Sequence, residues 1–373
     1  MRVVRTSGAG RATVTVLDDA GQPVEPVCAF LEYLGAKEYS PNTQLAYGQD
    51  ATHLLRFLGS KNLALADMTP NVAVDFLVYL RALRVRKRRQ PHTSEPTGEL
   101  DPATVNRILA STSSLYDYLA MTERYDRDNP LYKVADSAQA HVPDRHHPFM
   151  VAASRQRPIR RILRVTVPIR LPRPLDDDTI QVVTRHLRSR RDRAIVLVML
   201  EGGLRPGEAI NLRVKDVEYN RRRVVVRFCD DHPKGARTKS RTERVVDLYE
   251  GPALQAIREY VLYERPSDTG SPFLFLVGRR GRRRAEPLGY HAVQRMFRRA
   301  CTKAGIEEAS VTPHALRHTH ATRLWDGGMR ELALQKRLGH RSPESTMLYT
   351  RVTDAAVREE YARAIGATGK EEG

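Results

Sequence analysis

Cysteine is scarce in this sequence of 373 residues, which contains only Cys28, Cys229 and Cys301. The three lie far apart and are odd in number, so they form neither a disulfide framework nor a metal-binding CxxC pair. Small secreted proteins commonly rely on such frameworks. The scarcity of cysteine therefore argues against a disulfide-stapled secreted protein and predicts a cytoplasmic one.

Long apolar segments are also lacking. The longest apolar run, AIVLVML at residues 194–200, is far shorter than the roughly 20 residues with which a helix crosses a bilayer. The N-terminal stretch MRVVRTSGAGRATV has no apolar core of the kind found in secretory signals. We therefore expect neither export nor insertion into a membrane.

Acidic residues are too few to balance the basic ones. The 44 Asp and Glu stand against 62 Lys and Arg, which gives a net charge of +18 and a pI near 10.1. Such an excess attracts polyanions, and nucleic acid is the first partner that it indicates. Charge alone leaves open a basic surface that serves only solubility.

The length leaves room for two domains, each with its own core.

The first part of the chain predicts a helical domain behind a short N-terminal segment. Residues 1–24 contain the alternating stretch RATVTVLDD and the turn-like AGQP, which fit either an arm or a small hairpin. From residue 25 onward the pattern is helical, and three of the four predicted helices open with a capping residue followed by proline, in SPNTQ, TPNVA and DPATV. We therefore predict a compact helical domain over residues 25–132.

Two stretches interrupt the helical pattern and carry dense positive charge. Residues 84–101 open with RVRKRRQP and predict an exposed basic loop. Residues 133–174 are rich in Pro, His and Arg, include RQRPIRR, and predict a basic interdomain linker. The candidate phosphate contacts in these two stretches are Arg84, Arg86, Lys87, Arg88, Arg89, Arg160 and Arg161.

A second domain is predicted over residues 175–361, followed by a tail at residues 362–373. It opens with two helical stretches, continues with the β-branched stretches VEYNRRRVVVRFCDD and RTERVVDLY as strands, and returns to helix. The predicted fold class is thus mainly α with a small antiparallel β-sheet, in two domains. Arg279 and Arg280, in the basic run GRRGRRR, are further candidate phosphate contacts.

Two clusters in the second domain place cations where they can meet a phosphate. In GGLRPGEAINL, Glu208 follows Arg205 by three residues, a spacing at which a carboxylate can orient a guanidinium. The same pattern also fits a plain helix start with a surface ion pair. In HPKGARTKSRTERVVDL, the connector between two predicted strands carries Lys234, Arg237, Lys239 and Arg241, of which Lys234, Arg237 and Arg241 are candidate DNA contacts. Such a tip is charged either because it is solvated or because a lysine there donates a proton to a leaving oxygen.

Two further clusters involve histidine. In TPHALRHTHATRLW, His314 and Arg317 lie on one face of a first helical turn, where free N–H groups and the helix dipole favour an anion. The four histidines His314, His318, His320 and His340 leave a zinc site open, although no cysteine and no HExxH spacing supports one.

The last cluster is LGH at residues 338–340, followed nine residues later by Tyr349. Taken alone, this tyrosine also fits a core or interface residue.

The order of these motifs resembles the catalytic domain of the tyrosine recombinases, the phage integrase family. The residues that carry the resemblance are Arg205 in GGLRPGE, Lys239 in TKSRTERVVDL, His314 and Arg317 in HALRH, His340 in LGH and Tyr349 in MLYT. The stretches SPNTQLAYGQDATHLLRF and TVNRILASTSSLYDYL resemble the family's helical, SAM-like core-binding domain. The resemblance covers about residues 25–361 and implies the corresponding two-domain fold.

Two positions need comment. The family often has proline where this chain has Asp247, a strand position away from the chemistry. Lys234 competes with Lys239 for the role of catalytic lysine, and the resemblance favours Lys239, because its distance to the following strand matches the family pattern.

The resemblance implies an enzyme that cuts and rejoins double-stranded DNA through a 3′-phosphotyrosine bond, without ATP, metal ion or other cofactor. The implied nucleophile is Tyr349, and the implied proton donor to the leaving 5′-oxygen is Lys239. The other implied roles are phosphate binding by Arg205, Arg317, His314 and His340, with Glu208 orienting Arg205.

The resemblance also implies that the two domains clamp DNA from opposite faces and that four subunits assemble on it. Accessory proteins of a mobile element are a further class of partner, and the nucleoid is the expected site of action. Integration or excision of such an element is the expected role. A type IB topoisomerase, a catalytically silent DNA-binding factor and a zinc-dependent phosphoesterase are the alternatives left open.

Overall fold

The computed structural model describes most of the chain, in several stretches. The described residues are 1–7, 12–85, 98–135, 159–167, 174–238, 243–249, 251–267, 269–278, 281–308 and 310–339. By its contacts the chain divides into two units, Met1–Ile169 and Arg170–Gly373. Within the described stretches, no helix is both long enough and apolar enough to span a lipid bilayer.

In its described residues, the N-terminal unit contains a hairpin and four α-helices. Strands β1 (Arg2–Ser7) and β2 (Ala12–Leu17) pair antiparallel, and the helices are α1 (Glu25–Ala36), α2 (Pro41–Ser60), α3 (Pro70–Ala82) and α4 (Pro102–Met121). The predicted starts of three helices are those observed, because the side chains of Ser40, Thr69 and Asp101 accept hydrogen bonds from backbone N–H groups of the first turns of α2, α3 and α4.

The N-terminal segment is a hairpin that belongs to this helical unit. Val14 and Val16 of β2 are buried in the same apolar core as Phe30 of α1, Leu54 of α2 and Ile108 of α4. Of the two interpretations that the sequence allowed, arm or hairpin, the described residues therefore form the hairpin. They pack on the helices and do not extend from them.

The two basic interruptions contain short paired strands. Strand β3 (Arg84–Val85) pairs with β4 (Gly98–Glu99) at the base of the predicted loop. Strand β5 (Lys133–Ala135) pairs antiparallel with β6 (Ile159–Arg161), inside the stretch predicted to be a linker. Residues 133–135 and 159–161 are therefore paired strands inside the predicted linker, whereas residues 136–158 and 168–173 of that linker lie outside the described residues.

Asn106 of α4 fixes the chain just after β6. Its side-chain amide donates to the carbonyl oxygen of Val165 at 2.8 Å, and its Oδ1 accepts from the N–H of Val165, also at 2.8 Å. Val165 and Leu163 pack against the core of the N-terminal unit. An amide that satisfies both backbone groups of one residue mimics a strand partner and gives this segment a fixed position.

The second unit is mainly helical around a small sheet, as predicted. Its helices are α5 (Asp177–Arg185), α6 (Arg190–Gly202), α7 (Pro206–Asn211), α8 (Pro252–Tyr263), α9 (Tyr290–Lys303), α10 (Pro313–Asp326) and α11 (Glu331–Leu338). Strands β7 (Val217–Glu218), β8 (Arg223–Val226) and β9 (Arg244–Asp247) form an antiparallel sheet in the order β7-β8-β9. Helix α6, whose residues 194–200 are all buried, is central to the core.

Candidate active site

Arg205 lies at the junction between α6 and α7. Helix α6 ends at Gly203, which adopts a left-handed conformation with φ of 61°. Arg205 then caps α7, and Glu208 reaches back to it: its Oε2 accepts from the Arg205 backbone N–H at 2.9 Å and its Oε1 from Nη1 at 2.7 Å. The Arg205 side chain stays 20% exposed. Glu208 thus holds in place a guanidinium that solvent can still reach.

Glu208 is the centre of a larger cluster of arginines. Its side chain is 1% exposed, and besides Arg205 it binds Arg244 of β9, whose Nη2 lies 2.6 Å from Oε2 and whose Nη1 lies 3.2 Å from Oε1. Nη1 of Arg317 lies 3.7 Å from Oε2. Burial raises the pKa of Glu208, but the hydrogen bonds and charge of Arg244 and the charges of Arg317 and Arg205 outweigh burial and lower this pKa to about 2.

Arg317 lies in the first half of α10, with its side chain turned into the protein. Its Nη1 donates to the carbonyl oxygen of Gly203 at 2.6 Å, and its Nη2 donates to that of Leu338 at 2.6 Å. Only 4% of the side chain is exposed. Arg317 therefore joins the end of α6, which precedes Arg205, to the end of α11, which precedes His340.

His314 occupies the first turn of α10, one turn before Arg317. Thr312 caps this helix by accepting from the N–H of Ala315 at 3.3 Å, and Pro313 fills the first position, as predicted. The His314 side chain is exposed, and its Nε2 lies 3.3 Å from the hydroxyl of Tyr290 at the start of α9. A hydroxyl at this distance orients the imidazole at the surface of the cluster.

The connector between β8 and β9 folds against α7. Asn211 of α7 donates to the carbonyl oxygen of Ala236 at 3.4 Å, and Thr238 is held by Cys229, whose N–H donates to the threonine hydroxyl at 2.8 Å. The described part of the connector ends at Thr238, one residue before Lys239. Lys239 and Arg241 lie outside the described residues.

Lys234, the rival for the catalytic lysine, has an acidic partner. Its ammonium group forms an ion pair with Glu286, and the side chain is 22% exposed. Arg237, in the same connector, is half-buried. A lysine paired in this way is poorly placed to donate a proton to a leaving oxygen, so the pairing favours Lys239 for that role.

The end of α11 is held tightly just before the segment that contains His340 and Tyr349. Gly339 closes the helix in a left-handed conformation with φ of 65°, and a Cβ there would lie 2.8 Å from Nη1 of Arg244. Glycine is required because it alone adopts this conformation without strain and leaves room for the guanidinium. His340 and Tyr349 lie outside the described residues, so their predicted places in the site stay predictions.

Two family models match the chain. They are the phage integrase family, over residues 175–356, and the phage integrase N-terminal SAM-like domain, over residues 27–123. The chain belongs to the phage integrase family. It is therefore a tyrosine recombinase, an enzyme of site-specific DNA recombination.

Individual relatives agree with this family. Transposase A from transposon Tn554 of Staphylococcus aureus is 28% identical over 351 residues, which are 94% of this recombinase and 93% of the relative. Tyrosine recombinase XerA of Pyrococcus furiosus is 34% identical over 206 residues, which are 55% of this recombinase and 66% of the relative. The solved structure of the Tn1549 transposon integrase with a circular intermediate DNA has a TM-score of 0.60 at 19% identity, over 90% of this recombinase and 99% of that chain, and shows a shared fold.

Two arginines that the sequence did not single out are Arg244, which binds Glu208, and Arg337, which lies beside His320. Nε of Arg337 lies 3.2 Å from Nε2 of His320, and its Nη2 donates to the carbonyl oxygen of Asp247 at 2.9 Å. The sequence of β9, RVVD, contained an indication that Arg244 faces inward. Alternate side chains of a strand lie on the same face, so Arg244 shares a face with the buried Val246, whereas Val245 between them faces solvent. An arginine on the inward face of a strand needs a buried acidic partner, which here is Glu208.

Three of the four histidines considered for zinc, His314, His318 and His320, lie in α10. In the part of the recombinase that the structure describes, no group of three His, Cys, Asp or Glu side chains lies close enough to hold a metal ion. His320 is buried beside Arg337, and burial together with that charge lowers its pKa to about 3. His340 is not among the residues searched.

Only some of the predicted phosphate contacts lie in the described residues. Arg84 in β3 is exposed, with Nη2 at 3.9 Å from Oε1 of Glu99. Arg160 and Arg161 lie in β6, opposite Val134 and Lys133. The remaining predicted contacts lie outside the described residues, namely Arg86, Lys87, Arg88, Arg89, Arg279 and Arg280.

Proposed function

We propose that this recombinase cuts and rejoins double-stranded DNA by covalent catalysis, with Tyr349 as the nucleophile. The observation that carries the proposal is the convergence of Arg205 and Arg317, from motifs more than a hundred residues apart, around one buried carboxylate, Glu208. His314 lies one turn from Arg317 on the same helix. A phosphodiester placed beside these cations gains the charge stabilisation that its pentavalent transition state needs.

In this mechanism the phenolic oxygen of Tyr349 attacks the scissile phosphorus. A bond forms between that oxygen and phosphorus while the bond to the 5′-oxygen breaks, and Lys239 gives the 5′-oxygen its proton. Arg205, Arg317, His314 and His340 bind the non-bridging oxygens, and His314 takes the phenolic proton. The energy of the phosphodiester is kept in the phosphotyrosine bond, so rejoining to another 5′-hydroxyl needs no ATP.

The described ends of the connector and of α11 support the places given to Lys239 and His340. Thr238 is anchored close to α7, which begins directly after Arg205, and Gly339 contacts Arg244, which binds the same carboxylate as Arg205. Each of the two catalytic candidates is therefore one residue from an anchor next to the phosphate site.

DNA binding is supported by an exposed basic face on α9. The helix buries Val293 and Phe297 in the core, whereas its opposite face carries the exposed side chains of Arg295, Arg298, Arg299 and Lys303. Residues four apart on a helix share a face, so these cations form a stripe suited to a phosphate backbone. The net charge of +18 acts in the same direction.

The biological role that we propose is movement of a mobile element. The transposase of Tn554 aligns over nearly the whole chain, and the Tn1549 transposon integrase, solved with circular intermediate DNA, has the same fold. Exchange of strands between two duplexes needs four cleavages, so we propose a homo-tetramer on DNA, at the nucleoid and assisted by accessory proteins of the element.

The test is trapping of the covalent intermediate. The recombinase is incubated with a nicked suicide substrate that carries the ends of its own element, and adducts are separated on a denaturing gel. The wild-type protein should give an adduct at the 3′-phosphate, with or without EDTA, whereas Tyr349→Phe should bind the DNA equally and give none. An adduct formed by Tyr349→Phe, or an adduct that EDTA abolishes, would refute the mechanism.

The same assay separates the alternatives. A type IB topoisomerase would form the adduct on DNA without an element end and would relax supercoiled plasmid as a monomer. A silent DNA-binding factor would bind and give no adduct.

A further inference from the structure

We propose that Arg244 is a positioning residue for strand cleavage, which holds the phosphate-binding Arg205 and the end of α11 in one arrangement. This inference rests on the proposed function and adds to it a residue that acts through others. Arg244 is 7% exposed and lies on the inward face of β9. All three nitrogens of its guanidinium donate hydrogen bonds. These bonds fall into two groups, one to Glu208 and one to the end of α11.

The first group of contacts completes the set of hydrogen bonds that the Glu208 carboxylate accepts. Oε1 accepts from Nη1 of Arg205 and Nη1 of Arg244, and Oε2 accepts from the backbone N–H of Arg205 and Nη2 of Arg244. A carboxylate offers about four lone-pair sites, and all four are filled. Without Arg244, one site on each oxygen is empty, and the carboxylate can rotate. The guanidinium of Arg205 then loses the fixed orientation that a phosphate clamp requires.

The second contact leads to the nucleophile segment. Nε of Arg244 donates to the carbonyl oxygen of Arg337 at 2.9 Å, while Arg317 takes the next carbonyl, that of Leu338. Gly339 follows, packed against the Arg244 guanidinium. Two arginines that both approach Glu208 thus hold two consecutive carbonyls at the end of α11. The start of the segment that carries His340 and Tyr349 is therefore set by the same group that orients Arg205.

The geometry explains why an arginine is needed. Lysine has one charged nitrogen on a flexible stem and cannot hold both carboxylate oxygens and a carbonyl at once, whereas the guanidinium fork does so in one plane. A residue that served stability alone would not need contacts with both Glu208 and the end of α11. Buried ion pairs are often replaced by apolar residues without loss of stability. Arg244 contacts both Glu208, which orients Arg205, and the end of α11, and these two contacts indicate a positioning role.

The test compares Arg244→Gln and Arg244→Lys with a matched control, Arg227→Gln. Arg227 donates through Nε to Asp216 at 2.9 Å, and Asp216 is buried and accepts from the backbone N–H of Arg213 at 2.8 Å, just as Glu208 does from Arg205. The control therefore also removes an arginine from a buried capping carboxylate, but from Asp216 and not from Glu208. Arg227 also binds Glu243, with Nη1 at 3.1 Å from Oε1 and 3.0 Å from Oε2. Single-turnover rates of adduct formation, the Kd for DNA and the Tm are measured for each variant.

We expect Arg244→Gln to form the adduct about 100-fold more slowly, since misplacement of reacting groups by about 1 Å has an effect of this size. DNA affinity should change less than about threefold, because the contacts of Arg244 are with protein. Arg244→Lys should recover only part of the rate, and Arg227→Gln should cleave at the wild-type rate.

A modified substrate shows whether Arg244 acts through Arg205. A methylphosphonate at the scissile position replaces one non-bridging oxygen by an uncharged methyl group and lowers the need for a cationic clamp. The defects of Arg205→Ala and Arg244→Gln, each relative to wild type, should both shrink on this substrate. A wild-type rate for Arg244→Gln, or a defect of equal size on both substrates, overturns the proposal. If Arg244→Gln does not fold, a folded Arg244→Lys that cleaves at the wild-type rate overturns it.

Failure of the underlying function is distinguishable from failure of this inference. If the proposed function is wrong, the wild-type protein itself gives no adduct that depends on Tyr349.

Discussion

Replacing Glu208 by glutamine is expected to lower the free energy of unfolding of the C-terminal unit by about 3 kcal/mol at neutral pH. The carboxylate is almost fully buried among three arginines, which lower its pKa from 4.5 to about 2. Each pKa unit corresponds to about 1.4 kcal/mol of preference for the charged form. A glutamine is close in shape to the protonated acid, so it forfeits that preference and leaves the arginines without their counter-charge.

The pH dependence gives this prediction a sign that can be checked. A carboxyl group with a lowered pKa in the folded state stabilises the protein above its unfolded pKa, and the stabilisation is lost as the pH falls toward the folded pKa. For Glu208 the window runs from about 5 down to about 2. The difference in stability between wild type and Glu208→Gln should therefore be constant from pH 8 to pH 6 and about 1 kcal/mol smaller at pH 4.

Urea unfolding followed by tryptophan fluorescence is the assay. The chain has one tryptophan, Trp325, which packs with Leu334 and Leu338 beside the site and reports on the C-terminal unit. Urea is uncharged, so it leaves the ion pairs unscreened. Equal midpoints for the two proteins at pH 7, or a difference that does not change between pH 6 and pH 4, would show that the arginines do not depend on this carboxylate.

Three further changes have defined outcomes. Gly203→Ala should lower the stability of the C-terminal unit by more than about 1 kcal/mol, since φ is 61° and the added Cβ would lie 2.4 Å from Cδ2 of His320; an unchanged Tm would contradict this. Asn106→Ala should destabilise the segment after β6 by roughly 1–3 kcal/mol through two lost hydrogen bonds, seen as faster amide exchange there and unchanged exchange in α10. Replacing Arg298 and Arg299 of α9 by alanine should make the slope of log affinity against log salt shallower by about 2, and an unchanged slope would exclude α9 from the DNA contact.

Local chemistry made part of this recombinase predictable. Helix starts such as those at Ser40 and Thr312 depend on a capping side chain and a proline a few atoms away, so adjacent residues were sufficient to predict them. The pairing of Glu208 with Arg205 spans one helical turn and was predicted for the same reason. The order of the catalytic motifs is likewise a property of the sequence alone, so the resemblance to the family could be seen before any fold was known.

Contacts between distant residues were decided only by the tertiary structure. Strand β5 pairs with β6 across 23 intervening residues, and the sequence contained no local pattern that announced the pairing. Arg244 reaches Glu208 from 36 residues away, and Arg317 reaches Gly203 from 114 residues away. These partners meet because burial of an apolar core brings β9, α7, α10 and α11 together, and a buried charge must then find its counter-charge among whatever neighbours that packing supplies. Residue type and spacing therefore determined which groups this recombinase has for phosphate chemistry, whereas the packing of the core determined which of them share a carboxylate.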